Sequence, residues 1–325
     1  MGRRLRGEPW SEISLRISGA VVAHSIKVLY VPTPKVACSS LKRLIAEAAG
    51  TFDESALNRL TTPNITPEQA IHEPEVNGFT YFRNLTDGEQ AEILGSPEWW
   101  RVAAFRNPYA RAYSAFENNW LLFAGTMRET FRGRYREVLT DGCINLTETF
   151  AAFLESLVEN RETFFIDGHF RPQLWQVSPD AVDYTHVFKV DSPGALDDFA
   201  RQLSERTAHE VRPRRINEGL GLTYRDILTA DLARRIEYVY EPDFDTLGYA
   251  REDFPEVRDP WILSEQETRL VHVVQRMWLR QWQMSVAARG MRGFRYGARQ
   301  IMSRTRESLL GFVGRPPVFP EEGDT

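Results

Sequence analysis

Lys35, Ser39 and Ser40 stand within a single short stretch of the chain, and Arg106 and Ser114 form a second such stretch further on. An ammonium, two hydroxyls and the free backbone N–H groups of a helix start are the donors an anion needs. A guanidinium adds forked donors that match phosphate oxygens, and a hydroxyl supplies a neutral donor beside it. Two such clusters point to a ligand with two anionic ends. Taken by themselves these residues also admit plainer roles: Lys35 as a solvated loop lysine, Ser39 as an ordinary helix N-cap, and Arg111 as the structural partner of an acid.

The elements that must carry these residues are legible around them. Ile26 to Val31 is a short apolar run closed by Pro32 and Pro34, which reads as a buried strand. After the loop Pro32 to Ser39, the apolar residues Leu41, Leu44, Ile45 and Ala48 recur at helical spacing until Gly50. The pattern repeats from Trp99 to Phe105, a strand, followed by Asn107-Pro108 as N-cap and first helical residue, with Ala112, Ala115 and Phe116 on one helical face. Thr51 to Ser96 reads as loops and short helices. Leu146 to Val158 and Gly194 to Leu203 are predicted helices, Thr185 to Val190 a third strand, and Tyr224 to Val239 one more helix. Alternating strands and helices predict an α/β fold with a central parallel sheet flanked by helices, and ligands at the C-terminal ends of its strands.

The wording of both stretches is specific. Tyr30 to Leu44 reads Tyr-Val-Pro-Thr-Pro-Lys-Val-Ala-Cys-Ser-Ser-Leu-Lys-Arg-Leu. It resembles the 5′-phosphosulfate loop of the carbohydrate sulfotransferases, above all the chondroitin and dermatan 4-O-sulfotransferase branch, where it reads Pro-Lys-Val-Ala-Cys-Thr-Asn-Trp-Lys-Arg. Thr33 is an extra residue and Leu41 replaces Trp. Phe105 to Phe116, with Arg-Asn-Pro-Tyr-x-Arg-x-x-Ser-Ala, is similar to the 3′-phosphate motif of the same family and follows in the same order. The resemblance covers Ile26 to Tyr249. It implies the P-loop-like sulfotransferase fold and 3′-phosphoadenosine 5′-phosphosulfate as donor, with adenosine 3′,5′-bisphosphate as product. Lys35, Val36, Ala37, Cys38, Ser39 and Ser40 would then hold the 5′-phosphosulfate, Lys35 easing departure of the bridging oxygen, while Arg106 and Ser114 would hold the 3′-phosphate. Phe188-Lys189-Val190-Asp191 resembles a later strand of the family, and Arg215 and Asn217 are weaker candidates for the nucleotide.

Transfer to a hydroxyl also needs a base, and histidine has the appropriate ordinary pKa. Of the six histidines, His72 lies in the loop-rich stretch where related enzymes carry a histidine taken as their base, and it ranks first. His169 ranks second. It sits in Asp-Gly-His-Phe-Arg-Pro-Gln, which resembles the acceptor-side His-Trp-x-Pro-Gln segment of the family with Phe170 in place of Trp. Glu73 is either an orienting carboxylate for His72 or a solvated acid. No spacing of His, Cys and Asp reads as a metal site, and the implied scheme requires no metal.

With 40 basic and 45 acidic side chains the net charge is −5, which excludes a surface built wholly for nucleic acid. The two cysteines, Cys38 and Cys143, do not make a disulfide framework. The early arginines are followed by no apolar run of signal-peptide or membrane-span length. The expectation is therefore a soluble, cytoplasmic protein without the membrane anchor of the Golgi relatives. The predicted division is an N-terminal segment 1–25, a catalytic domain 26–260, and a helical basic extension 261–325. In the extension, a helical region from about Ser264 to Leu310 carries Arg289, Arg292, Arg295, Arg299, Arg304 and Arg306. It could rest on an anionic membrane surface, meet an acidic partner, or dock on the domain. The expected function is sulfuryl transfer to a hydroxyl of a carbohydrate or glycoconjugate acceptor. Two rivals are a non-catalytic module that binds phosphoadenosine or a glycan, and a P-loop kinase. The absence of Gly-x-x-x-x-Gly-Lys-[Ser/Thr] from the first loop counts against the kinase.

Overall fold

The computed structural model describes residues 16–284, apart from 18, 63–64, 124–134, 215–219 and 282. Arg215, Asn217 and the arginines from Arg289 to Arg306 lie outside the described residues.

Two short hairpin strands, β1 (Val21–Ala23) and β2 (Val28–Val31), begin the sheet, joined by a 3-10 turn at His24–Ile26. They are followed by β3 (Thr80–Tyr81), β4 (Trp100–Phe105), a separate hairpin β5 (Leu139–Thr140) and β6 (Cys143–Ile144), and β7 (His186–Lys189). The main sheet is five-stranded in the order β3-β1-β2-β4-β7. β2, β4 and β7 run parallel, with Val31 opposite Ala103 and Phe105 opposite Lys189. β1 is antiparallel to both its neighbours, so the sheet is mixed rather than wholly parallel as the sequence predicts. The cause is local: the turn at His24–Ile26, closed by Lys27 in the left-handed region, is too short for a crossover and can only reverse the chain. β1 also falls inside the 1–25 stretch that the sequence reading set apart.

Side chains alternate between the two faces of the strands, as the period of two requires. Leu29, Val31, Ala103 and Phe105 enter one core cluster, and Val28, Tyr30, Val102 and Ala104 enter the other. The second face is covered by the helix α1 (Cys38–Ala48), through Leu41, Leu44, Ile45 and Ala48, and by the helix at Ala195–Thr207, through Phe199, Ala200 and Leu203. The first face is covered by helices at Pro108–Ala115, Leu146–Glu159 and Ala230–Val239. Short helices at Glu54–Leu60, Pro67–Ala70 and Pro74–Asn77 bury a small cluster of their own around Ala56, Ala70, Ile71 and Val76.

The helix expected over Tyr224 to Val239 is two helices, Tyr224–Ile227 and Ala230–Val239. Thr229 starts the second by accepting a hydrogen bond from Leu232 N, which ends the first. A further helix spans 265–281 and is tied to the core by Ile144 N, which donates to Thr268 Oγ1, and by Gln275 Nε2, which donates to Leu121 O. No helix among the described residues is long and apolar enough to cross a membrane.

Candidate active site

Because β2 and β4 are hydrogen-bonded neighbours that run the same way, their C-terminal ends lie side by side. At the first corner, Val36 N donates to Thr33 O at 3.2 Å, closing a turn with Pro34 second and Lys35 third. Lys35 has φ 67° and Ala37 φ 49°, both in the left-handed region without being glycine. Each such residue carries a strain of roughly 1 kcal/mol or more, which the surroundings must hold in place. Ala37 is the N-cap of α1 and has no side chain to cap with, so the first-turn N–H groups of this 11-residue helix face outward unmet by a cap. Ser39 is thus not the N-cap. It sits inside the first turn, with its hydroxyl 3.1 Å from His72 Nε2 and 3.3 Å from Glu68 O. Val36 is buried, and Cys38 and Ser40 are half-buried on the same turn.

At the second corner, Gln173 pairs with the backbone of Arg106 from both sides: Arg106 N donates to Gln173 Oε1 and Gln173 Nε2 donates to Arg106 O, each at 2.9 Å. Asn107 caps the helix at Pro108–Ala115 through Tyr109 N at 2.9 Å, as the sequence predicts. Ser114 is half-buried on the second turn of that helix.

The corners are tied to each other. Arg106 Nη1 donates to Lys35 O at 3.2 Å. Arg111, 1% exposed, donates to Pro34 O at 3.1 Å, to Gly168 O at 3.0 Å and to His169 O at 3.4 Å. Its partners are carbonyls rather than an acid: the planar guanidinium forks between the Pro34 turn and the 168–169 backbone and ties the two together. Gly168 fits tightly against the first corner: a Cβ there would come within 3.0 Å of Gln176 Oε1 and 3.6 Å of Pro34 Cγ.

Positive charge accumulates at this junction. Burial, reinforced by Arg106 and Arg111 against Cys38 and Glu117, lowers the Lys35 ammonium to a pKa of about 8. Burial likewise depresses Arg106, opposed by Asp191 and Glu117. Glu117 lies at the start of a π-helical stretch, Phe116–Leu122, that continues from Ser114's helix. It is 6% exposed and accepts from Leu220 N at 2.7 Å. Burial raises its pKa, while the Leu220 bond and the charges of Lys35 and Arg106 restrain it. Nothing in the local sequence marks this acid as a counter-charge for the corners.

The two ranked histidines differ in state. His72 is half-buried, and burial, with the charges of Lys42 and His169, pulls it down to about 4, so it is neutral at pH 7. Its partner is Ser39, not Glu73; Glu73 is an exposed N-cap for the helix at Pro74–Asn77, which turns its carboxylate to solvent. His169 Nδ1 pairs with Asp167 Oδ1 at 2.6 Å, and its backbone N donates to the same oxygen at 2.9 Å. Burial of Asp167 opposes its ionisation, yet these bonds and Arg171 hold its carboxyl below the usual range. A histidine fixed through Nδ1 keeps Nε2 as its free proton acceptor. The other histidines have other contacts: His186 lies on Trp100 with ring centroids 3.9 Å apart, His24 meets Trp99 edge-on, and His272 pairs with Glu137 at 2.8 Å.

The Phe188 to Asp191 stretch supports the second corner. Asp191 Oδ1 accepts from Asn107 N at 2.9 Å and from Tyr249 Oη at 3.3 Å, and Lys189 Nζ donates to Gly248 O at 2.9 Å. Asp243 anchors Gln173 in turn by accepting from Gln173 N and Leu174 N, each at 2.9 Å. Among the described residues no group of three His, Cys, Asp or Glu side chains is placed to hold a metal ion.

Fold and site together define an α/β protein that gathers cations and free amides at the ends of two adjacent parallel strands, beside two histidines. Residues 18–250 match the family model described as the sulfotransferase family, well over half of the chain, and the protein belongs to that family. Membership makes it a transferase with sulfuryl transfer as its reaction class and implies an acceptor substrate. No curated protein and no solved structure matches the chain.

Proposed function

We propose that the protein transfers a sulfuryl group from 3′-phosphoadenosine 5′-phosphosulfate to a hydroxyl of a carbohydrate or glycoconjugate. The observation that carries this reading is the tie between the corners: Arg106 reaches the carbonyl of Lys35, so two cation clusters form one continuous cradle for a ligand with two anionic ends. The residues present suit such a donor. The uncapped start of α1 and the Lys35 ammonium would hold the 5′ end, with Val36, Ala37, Cys38, Ser39 and Ser40 supplying backbone and hydroxyl donors, and Arg106 with Ser114 would hold the 3′-phosphate. When bound, the donor supplies a sulfur whose bond to the bridging phosphate oxygen breaks as the acceptor oxygen bonds to it.

Lys35 stabilises negative charge at the leaving phosphate. His169 is the base this geometry favours over His72: Asp167 fixes its Nδ1, and Nε2 takes the proton of the acceptor hydroxyl. His72, neutral and bonded to Ser39, orients the loop instead. A sugar acceptor is supported by Trp175, 52% exposed and packed edge-on against Phe165 with centroids 5.4 Å apart, on the same 165–176 segment as His169. An exposed indole face offers an apolar surface for the C–H face of a pyranose. We take the catalytic unit to run from β1, which belongs to its sheet, to residue 260, and 261–325 to be an extension whose first helix docks on it.

Incubation with sulfur-labelled donor and a panel of oligosaccharides, glycolipids and small alcohols tests this reading. Label appears on a sugar hydroxyl with the unmodified protein and not with Lys35→Ala that retains its fold. Donor binding without transfer to any acceptor would instead favour a non-catalytic binding module.

A further inference from the structure

The helix at 265–281 has two faces of opposite kind. Thr268, Val271 and Gln275 are buried, Trp278 lies on Phe123 with ring centroids 4.1 Å apart, and His272 pairs with Glu137. These contacts fix the rotation of the helix. At the complementary spacing, Leu270, Val273 and Met277 share the outer face, 62%, 42% and 56% exposed, and Met284 continues the spacing, exposed as well. A surface helix ordinarily turns its apolar stripe to the core and its polar side to water. Here the inward face includes Thr268 and Gln275, and the outward face carries a second apolar row whose burial a partner could supply.

Arginines flank this row. Arg269, Arg276 and Arg280 are exposed along one side of it, Arg269 being paired with Glu265. The bias extends along the sequence: Thr268 to Arg306 holds nine of the 40 basic side chains and none of the 45 acidic ones, so the rest of the chain is strongly net negative. Charge of one sign beside an apolar row selects the occupant. A second copy docking through the same face about a two-fold axis would set arginines against arginines. An anionic lipid surface answers both features, because apolar tips enter the acyl boundary while arginines on long stems reach the phosphate headgroups. We propose that the outer face of the 265–281 helix is a docking surface for an anionic lipid bilayer. Leu270, Val273 and Met277 insert at the interface, and Arg276 and Arg280 meet the headgroups. None of these residues belongs to the cradle at Lys35 and Arg106.

The test is co-sedimentation of the full chain with vesicles of phosphatidylcholine alone and of an equal mixture of phosphatidylcholine and phosphatidylglycerol. The unmodified chain should pellet with the mixed vesicles and not with the neutral ones, and rising salt should release it. Arg276→Gln with Arg280→Gln should weaken binding about 10- to 30-fold, and Leu270→Gln with Met277→Gln at least about tenfold. These side chains are exposed, so both double variants keep the bonds of Thr268 and Gln275 that hold the helix, and their melting temperatures should match that of the unmodified chain. Should a double variant fail to fold, the single Met277→Gln and Arg276→Gln variants give the same comparison with smaller losses. Equal binding to both vesicle types, or full binding by the Leu270 and Met277 variant, overturns the proposal. So does the absence of vesicle binding. In that case, a mass that rises with concentration in sedimentation, and does not in the Leu270 and Met277 variant, assigns the face to a second copy instead.

Discussion

Raising the pH should loosen the hold on the nucleotide by an amount that Lys35 sets. Its ammonium is held at about 8, by burial first and by Arg106 and Arg111 next. It is therefore about 90% charged at pH 7 and about 10% charged at pH 9. A bound phosphate would return it to the ordinary lysine range, so binding above pH 8 must take up a proton. The dissociation constant for adenosine 3′,5′-bisphosphate should then rise about tenfold between pH 7 and 9, close to 1.4 kcal/mol. Calorimetry in buffers of different ionisation enthalpy should show roughly 0.9 proton taken up at pH 9 against 0.1 at pH 7. Lys35→Arg, charged throughout this range, should bind with little pH dependence. The reasoning is refuted if the unmodified protein binds equally well at both pH values, or if Lys35→Arg keeps the full slope.

Arg106→Ala removes the bond to Lys35 O together with the guanidinium proposed to hold the 3′-phosphate, and should weaken bisphosphate binding about 100-fold by calorimetry, with Arg106→Lys losing less. His169→Ala should lower transfer by about 10²- to 10⁴-fold while leaving bisphosphate affinity within about twofold; His72→Ala should do the reverse if it serves the loop. His72 has its folded pKa lowered to about 4 from an ordinary value of 6.5. The unfolded chain therefore binds the extra proton, and stability is lost as pH falls from 6.5 toward 4. Chemical denaturation across that range should show a shallower loss for His72→Gln. Ala37→Gly relieves a left-handed backbone at φ 49°, and should raise the melting temperature with a gain of up to about 1 kcal/mol; a lower melting temperature would count against strain at this corner.

Both corners were legible in the sequence because each is built from local signals: an apolar run, a proline or asparagine that ends it, and helical periodicity after it. β1 was not, since three residues form a strand only when neighbours on both sides pair with them. The break at Leu228–Thr229 was hidden because one apolar stripe runs through both helices and only the Thr229 cap divides them. The acids that shape the site were missed for a similar reason. Glu117 bonds a backbone amide 103 positions away, and Asp243 holds Gln173 from 70 positions away. Asp167 does carry a local signal, a carboxylate two residues before His169.

The most direct measurement is a calorimetric titration of the full chain with adenosine 3′,5′-bisphosphate alongside adenosine 5′-monophosphate. If the two strand ends grip opposite ends of one nucleotide, the bisphosphate binds one-to-one and at least about 100-fold more tightly than the monophosphate, and Arg106→Ala abolishes that difference. Equal affinity for the two nucleotides, or no heat and no saturation with either, would contradict the account.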